Sequence, residues 1–241
     1  MVATPIRSPR SNTYLLPLEK AAVIVKGEKY TTDIAKEVRF YLGEDEARRF
    51  YTDGRKKTGG GLGWVQHRFD QLVWASLHKT LASKPDMYGI WLSKQSSGCC
   101  ATRVHILKRL QDHLDNKCPN CGRQEQASHL MVCPSKDRTK LLEEGVEQLT
   151  TWLHEDSRTN TELAYWIPKY VIFRGQRLMA TLGPMSHAMR QAAISQDEIG
   201  WRQFTEGKVS KDFASIQRAH CAGAPCRMNG DDWMKHFISH K

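Results

Sequence analysis

Four side chains constrain this chain more than any other feature: Cys118, Cys121, His129 and Cys133, spaced Cys-x2-Cys-x7-His-x3-Cys. Cys118-Pro119-Asn120-Cys121-Gly122 reads as a tight turn that aims two sulfurs at one point. Pro119 fixes its own φ, and Gly122 permits the positive φ that follows such turns. His129 and Cys133 are four apart, so one helical turn puts both side chains on the same face. Three thiolates and one imidazole complete a tetrahedral set with no open position, which is what structural zinc takes. No Glu stands beside His129 as it does in hydrolytic zinc signatures. The alternative is four side chains buried as ordinary core groups, but so tight a Cys-Pro-x-Cys-Gly turn favours metal. A zinc ion held here contributes folding free energy directly.

Seven cysteines is an odd number, and Met1 to Leu18 lacks the apolar run of a secretion signal. Together these predict reduced thiols in a nuclear or cytoplasmic protein, where clustered Cys usually means metal. Cys99 and Cys100 are adjacent, so one of them at most faces a given ion, and Cys100 with His105 is a weaker second pair. Cys221 and Cys226 read as free thiols. No stretch approaches the roughly 20 apolar residues of a membrane helix.

The formal charge of +10 is uneven. Residues 1–60 hold 12 Lys/Arg against 8 Asp/Glu, residues 61–140 hold 12 against 6, and residues 141–241 hold 12 against 12. The excess therefore lies in the first two segments, at +4 and +6, beside a neutral third. A basic part beside a neutral one points to a polyanionic partner, DNA or RNA, as well as to the plainer reading of a soluble basic protein. Phosphate neutralisation is expected from Lys94, Arg103, Lys108, Arg109, Lys117 and Arg123. Trp91 is either a stacking surface for single strands or a core residue.

The pattern predicts a mainly α fold, helical with a small zinc-stabilised knuckle. Three regions follow: a basic N-terminal segment with one helix over 1–58, a basic zinc-knuckle region over 62–140, and a neutral helical region over 141–241. The first begins as an irregular arm and then turns helical from a cap at Thr32. The glycine-rich run after Asp53 is the clearest linker. Apolar stripes predict helices over 64–82, 102–114 and 136–155, with Pro85 ending the first. Ile90-Trp91-Leu92 fits a strand or a helix. A helix from Thr161 is expected to end near Pro168, and one long helix is expected over Ser186 to Glu206 with Gly207 as its cap. Ser210, and Asp231 or Asp232, should cap two last helices. Trp152, Trp166, Trp201 and Trp233 in the neutral region suit either a core or a protein interface.

From Leu77 to Cys133 the chain resembles the zinc-binding region downstream of the reverse transcriptase domain in non-LTR (LINE-type) retroelements. The shared features are Trp91 and a basic residue upstream, a helix, the CPxC turn, an acid near Glu125, His129-Leu130, and Cys133 followed by Pro134. That resemblance implies Cys118, Cys121, His129 and Cys133 as ligands and a contact with nucleic acid. Ser195 to Ser210, SQDEIGWRQFTEGKVS, together with the zinc segment, is similar to a transposon-like family of uncharacterised proteins from algal genomes.

Complete enzyme sites are hard to find. There is no Tyr-x-Asp-Asp turn of a polymerase. Tyr51-Thr52-Asp53-Gly54 resembles the first strand of a ribonuclease H, but no Glu occurs between Gly54 and Gln124 to complete a two-metal set. Lys84-Pro85-Asp86 is similar to the start of a restriction-like nuclease site, and its nearest downstream partner is the distant Glu206-Gly207-Lys208. Asp197 and Glu198 are metal-binding carboxylates in a catalytic reading and helix caps or ion-pair partners in a structural one. Adjacent helical positions point about 100° apart, which favours the second.

Overall fold

Helices make up nearly all of the regular structure. The computed structural model describes residues 23–25, 28–30, 45–46, 48–49, 51–52, 66–96, 100–110, 115–156, 158–223 and 230–240. The N-terminal arm, the Thr32 cap, the glycine-rich linker, Cys99 and Cys226 lie outside the described residues. Residues 45–46, 48–49 and 51–52 are helical. Two short strands, β1 (Val23–Val25) and β2 (Glu28–Tyr30), pair antiparallel with Ile24 opposite Lys29. The β-branched run of β1 suits that extended form.

Helices α1 (Gln66–Asp70) and α2 (Trp74–Ala82) replace the single helix expected over 64–82. The break comes at Leu72, which bridges antiparallel to Ser210, while the Val73 N–H donates to the Val209 carbonyl at 3.2 Å. Pairing with that distant segment overrides the local periodicity. It also turns Phe69 and Leu72 inward with Tyr51 and Ile199 into a small second core. Helix α3 (Asp86–Ser96) starts directly after Pro85, a position where a proline forfeits no helical hydrogen bond. Ile90-Trp91-Leu92 is therefore helical. The basic helix α4 (Arg103–Leu110) follows, and α5 (Ala127–Val132) carries His129.

Helix α6 (Lys136–Thr151) starts at Ser135, whose hydroxyl accepts the Arg138 N–H at 3.4 Å. It passes into a π-helical turn, Trp152–Asp156, that brings both Trp152 and Leu153 into the core. Helix α7 (Thr161–Ile172) is capped by Asn160, which accepts the N–H groups of Glu162 and Leu163. It runs through Pro168 instead of ending there. Leu163, Ile167 and Tyr170 bury the same helix, and that burial outweighs the roughly 3 kcal/mol an interior proline costs.

Helices α8 (His187–Ile199) and α9 (Trp201–Thr205) divide what the sequence presents as one long helix. Gly200 between them takes φ 100° and ψ 151°, a conformation open to glycine and strained for other residues. The break lets the indole N–H of Trp201 donate to the Tyr170 carbonyl at 3.0 Å. Helix α10 (Lys211–Gly223) starts at Ser210, whose hydroxyl accepts the Asp212 N–H. Helix α11 (Gly230–His240) carries Asp231 and Asp232 in its first turn.

One core joins α2 to α11, with α6, α7, α8, α9 and α10 packed round it. Trp233 and Phe237 stack with centroids 5.2 Å apart and nearly parallel rings, beside Trp152. At the seam of α2 and α11 the Thr80 hydroxyl donates to the Lys235 carbonyl, and Lys84 Nζ to that of Ser239. Glu206 and Lys208 pair at 2.5 Å inside the molecule, with Arg202 also bonded to Glu206 at 3.1 Å. Burial is the larger influence on Lys208 and holds its ammonium below the ordinary lysine range, against the pull of Glu206. Among the described residues no helix is long and apolar enough to cross a membrane.

Candidate metal centre

The turn at Cys118 closes as its residue types require. The Gly122 N–H donates to the Cys118 carbonyl at 2.8 Å, and the Cys118 N–H donates back to the Arg123 carbonyl at 2.6 Å. Lys117 and Gln124 bridge antiparallel across its base, and Gly122 sits at φ 71°. From there the chain enters α5, which presents His129, and Cys133 follows as the residue that ends that helix. Cys118, His129 and Cys133 are buried and Cys121 is partly exposed.

All four ligand atoms lie within 4.8 Å of one another, close enough to hold one metal ion. Cys118 Sγ and Cys133 Sγ are 3.9 Å apart, and Cys121 Sγ and His129 Nε2 are 3.2 Å apart. A tetrahedron with metal–sulfur bonds of about 2.3 Å and a metal–nitrogen bond of about 2.0 Å has edges of roughly 3.5–3.8 Å. Those two separations come within a few tenths of an ångström of that figure and the remaining pairs reach no further than 4.8 Å, so the four residues could close on such an ion. No other group of three or more Cys, His, Asp or Glu converges in this way among the described residues. Cys100 is not part of it. Its thiol donates to Gln95 Oε1 at 3.0 Å, and His105 Nε2 is buried without a hydrogen-bond partner among the described residues.

The surrounding groups act on two of the sulfurs in opposite directions. Burial pushes the Cys133 thiol up, but the amide and hydroxyl of Ser135, with the Cys121 and Cys118 side chains, bring it down to about 6. The Arg123 amide acts to lower Cys121, yet burial and the two neighbouring thiols leave it raised. The amides that bond to sulfur come from the residues two positions after Cys121 and Cys133, Arg123 and Ser135.

Long-range bonds fasten this element to the helical body. The buried Gln95 at the end of α3 donates Nε2–H to the Ala127 carbonyl at 2.9 Å, just where α5 begins. Arg202 donates to the Gln95 carbonyl at 2.9 Å, and Arg174 to the Cys133 carbonyl at 2.8 Å. Glu125 caps α4 by accepting the Arg103 N–H on its carboxylate and the Val104 N–H on its carbonyl. Gln95, Arg174 and Arg202 carry no local signal, because each meets its partner from a remote part of the chain.

Of the residues expected to meet nucleic acid, Lys117 and Arg123 flank the metal turn with exposed side chains. Arg103 opens α4 and pairs with Asp115 at 3.5 Å. Lys108 is exposed on α4 and Lys94 is exposed on α3. The backbone of Arg109 lies in α4, and its side chain is outside the described residues. Asp197 receives the N–H groups of Met179 and Ala180 at 2.7 and 2.9 Å, so it caps the short 3-10 turn Met179–Thr181. Glu198 beside it is exposed. Comparisons with protein-family models, with curated proteins and with solved structures return no match to this chain.

Proposed function

We propose that this protein binds nucleic acid through a zinc-stabilised element and has no catalytic activity of its own. The observation that carries the reading is the closed Cys3His cluster with exposed Lys117 and Arg123 on either side of its first two ligands. Zinc is the ion that three thiolates and one imidazole suit best, since soft sulfur ligands disfavour magnesium and calcium. With all four positions taken by protein, such an ion organises structure and leaves no place for a reacting water. The similarity of Leu77 to Cys133 with the region downstream of retroelement reverse transcriptases supports the same reading and suggests a retroelement origin.

Two measurements test it. The purified protein should carry about one zinc per chain, and Cys121→Ser or His129→Ala should lose it. A labelled oligonucleotide should bind with an affinity that falls as salt rises, with a log–log slope near 0.7–0.9 for each phosphate neutralised. Lys117→Ala and Arg123→Ala should each lower that slope by about 1. Binding that ignores salt, or none at low salt, rejects the proposal.

A second reading, a protein-interaction module that zinc merely holds together, is favoured by one cleft. Leu130 and Met131 of α5, Leu141, Leu142 and Val146 of α6, and Val171 of α7 line a space of about 350 Å³. Leu141 stands 60% exposed at that cleft. Leu141→Asp would abolish capture of a protein partner and leave oligonucleotide affinity unchanged.

A further inference from the structure

Helix α3 is apolar on two sides, and the body of the protein uses one of them. Its inward side carries Leu92 and Gln95, both buried, with Tyr88 packed against the core. On the other side Met87 is 73% exposed, Ile90 46% and Trp91 44%, followed by exposed Lys94. Positions 87, 90, 91 and 94 are three and four apart, so they form one continuous stripe. Among the described tryptophans Trp91 is the exposed one. Trp152, Trp166, Trp201 and Trp233 are buried and Trp74 is half-buried. The Trp91 ring lies 5.9 Å from that of Tyr88 at 42°, which leaves one of its sides supported from within.

The sequence around this helix is basic, and Lys94 stands on the stripe itself. From Gln71 to Gln111 the chain carries Lys79, Lys84, Lys94, Arg103, Lys108 and Arg109 against a single acid, Asp86. The stripe is also small. Its three apolar side chains expose on the order of 300 Å², against about 800 Å² per partner in a standard protein interface. A stripe along residues 87–94 rises about 10 Å, enough for two or three stacked nucleotides and short for a packed helix partner. A flat exposed indole with Lys94 one turn along the same helix matches the combination that single-stranded nucleic acid uses, where bases stack and phosphates meet positive charge.

We infer that the outer face of α3 is a stacking platform for single-stranded nucleic acid, in which Trp91 takes an unpaired base and Lys94 meets a neighbouring phosphate. This rests on the nucleic-acid reading above and adds to it a preference for unpaired strands. A duplex keeps its bases stacked inside and offers Trp91 nothing to cover. The metal turn with Lys117 and Arg123 then supplies the part of binding that is indifferent to strandedness.

The test uses the full chain loaded with zinc, a fluorescein-labelled oligothymidine, and a blunt duplex of matching length, read by anisotropy. Wild type should favour the single strand, and its tryptophan emission should be quenched on saturation. Trp91→Ala should lower single-strand affinity about 10-fold or more and leave duplex affinity within about 2-fold. Trp91→Phe should recover most of the loss while abolishing the quenching, which a merely structural role would not produce. Matching melting curves confirm that both variants fold. Wild type that binds both probes alike, with Trp91→Ala unchanged, overturns the platform and leaves the nucleic-acid reading standing. Wild type that binds neither probe overturns both. A change of sedimentation coefficient on Trp91→Ala, with both affinities kept, overturns the platform in favour of an interface between copies of this chain.

Discussion

Asp197 illustrates how much one side chain settles. Its carboxylate holds two N–H groups of the Met179–Thr181 turn, and Tyr170 lies beside it. Asp197→Ala should cost about 1–3 kcal/mol in a urea titration, because two amides lose their acceptor. Burial is the largest influence on Asp197 and holds its carboxyl above the usual carboxylate range, against the two amides and the Tyr170 hydroxyl. The sign follows from linkage. The folded state binds this proton more tightly than the unfolded chain, so the group's contribution is full below the ordinary carboxylate pKa. It is lost as pH rises through the raised one. Urea titrations across the weakly acidic range should therefore find a stability slope that Asp197→Asn flattens. Trp201, one turn on, is buried and bonded to the Tyr170 carbonyl, and Trp201→Ala should cost roughly 3–5 kcal/mol. Asp197 reads in the sequence as metal ligand or as cap or ion-pair partner, with the second favoured; its partners, seventeen and eighteen positions back, gave no local sign.

At the scale of elements, what short-range chemistry decides was legible. Ser210 caps the helix that follows it as expected, and Ser135, Asn160 and Ser186 do the same, whereas Asp231 and Asp232, expected as caps, lie inside the first turn of a helix that opens at Gly230. The Cys-Pro-Asn-Cys-Gly turn closes through bonds within six residues, so its geometry could be read from the chain alone. The breaks at Leu72 and Gly200 could not. Leu72 answers to Ser210, and Gly200 lets Trp201 reach Tyr170, so the deciding partner in each case is far away in sequence. Pro168 is the converse, a local breaker overruled by burial. The joint between metal element and helical body is of the same long-range kind. Gln95→Leu would remove one hydrogen bond from the Ala127 carbonyl and one from the Cys100 thiol, at about 1–3 kcal/mol by thermal melting. Any metal content should be unchanged, because none of the four candidate ligands is touched.

The whole molecule divides its sources of stability. Cys118, Cys133 and Ala127 are buried, yet they stand apart from the cluster that runs from Leu77 to Ile238. Removing the metal with a chelator should therefore collapse amide protection over residues 115–135 in hydrogen exchange while α7, α8, α10 and α11 stay protected. Loss of protection everywhere would mean that the ion holds the entire fold. The larger core has its own dependence, on the seam between α2 and α11. Thr80 and Lys235, bonded there, are 155 positions apart. A ribosome adding roughly 5–20 residues per second needs about 8–30 s to make the stretch between them. Once Cys133 has been made, 102 residues still separate it from Lys235. For about 5–20 s the nascent chain therefore has its Cys3His turn complete and able to close on an ion before Trp233 and Phe237 arrive to pack on Leu77, Trp152 and Phe204. The metal element can thus close before the core that α11 completes.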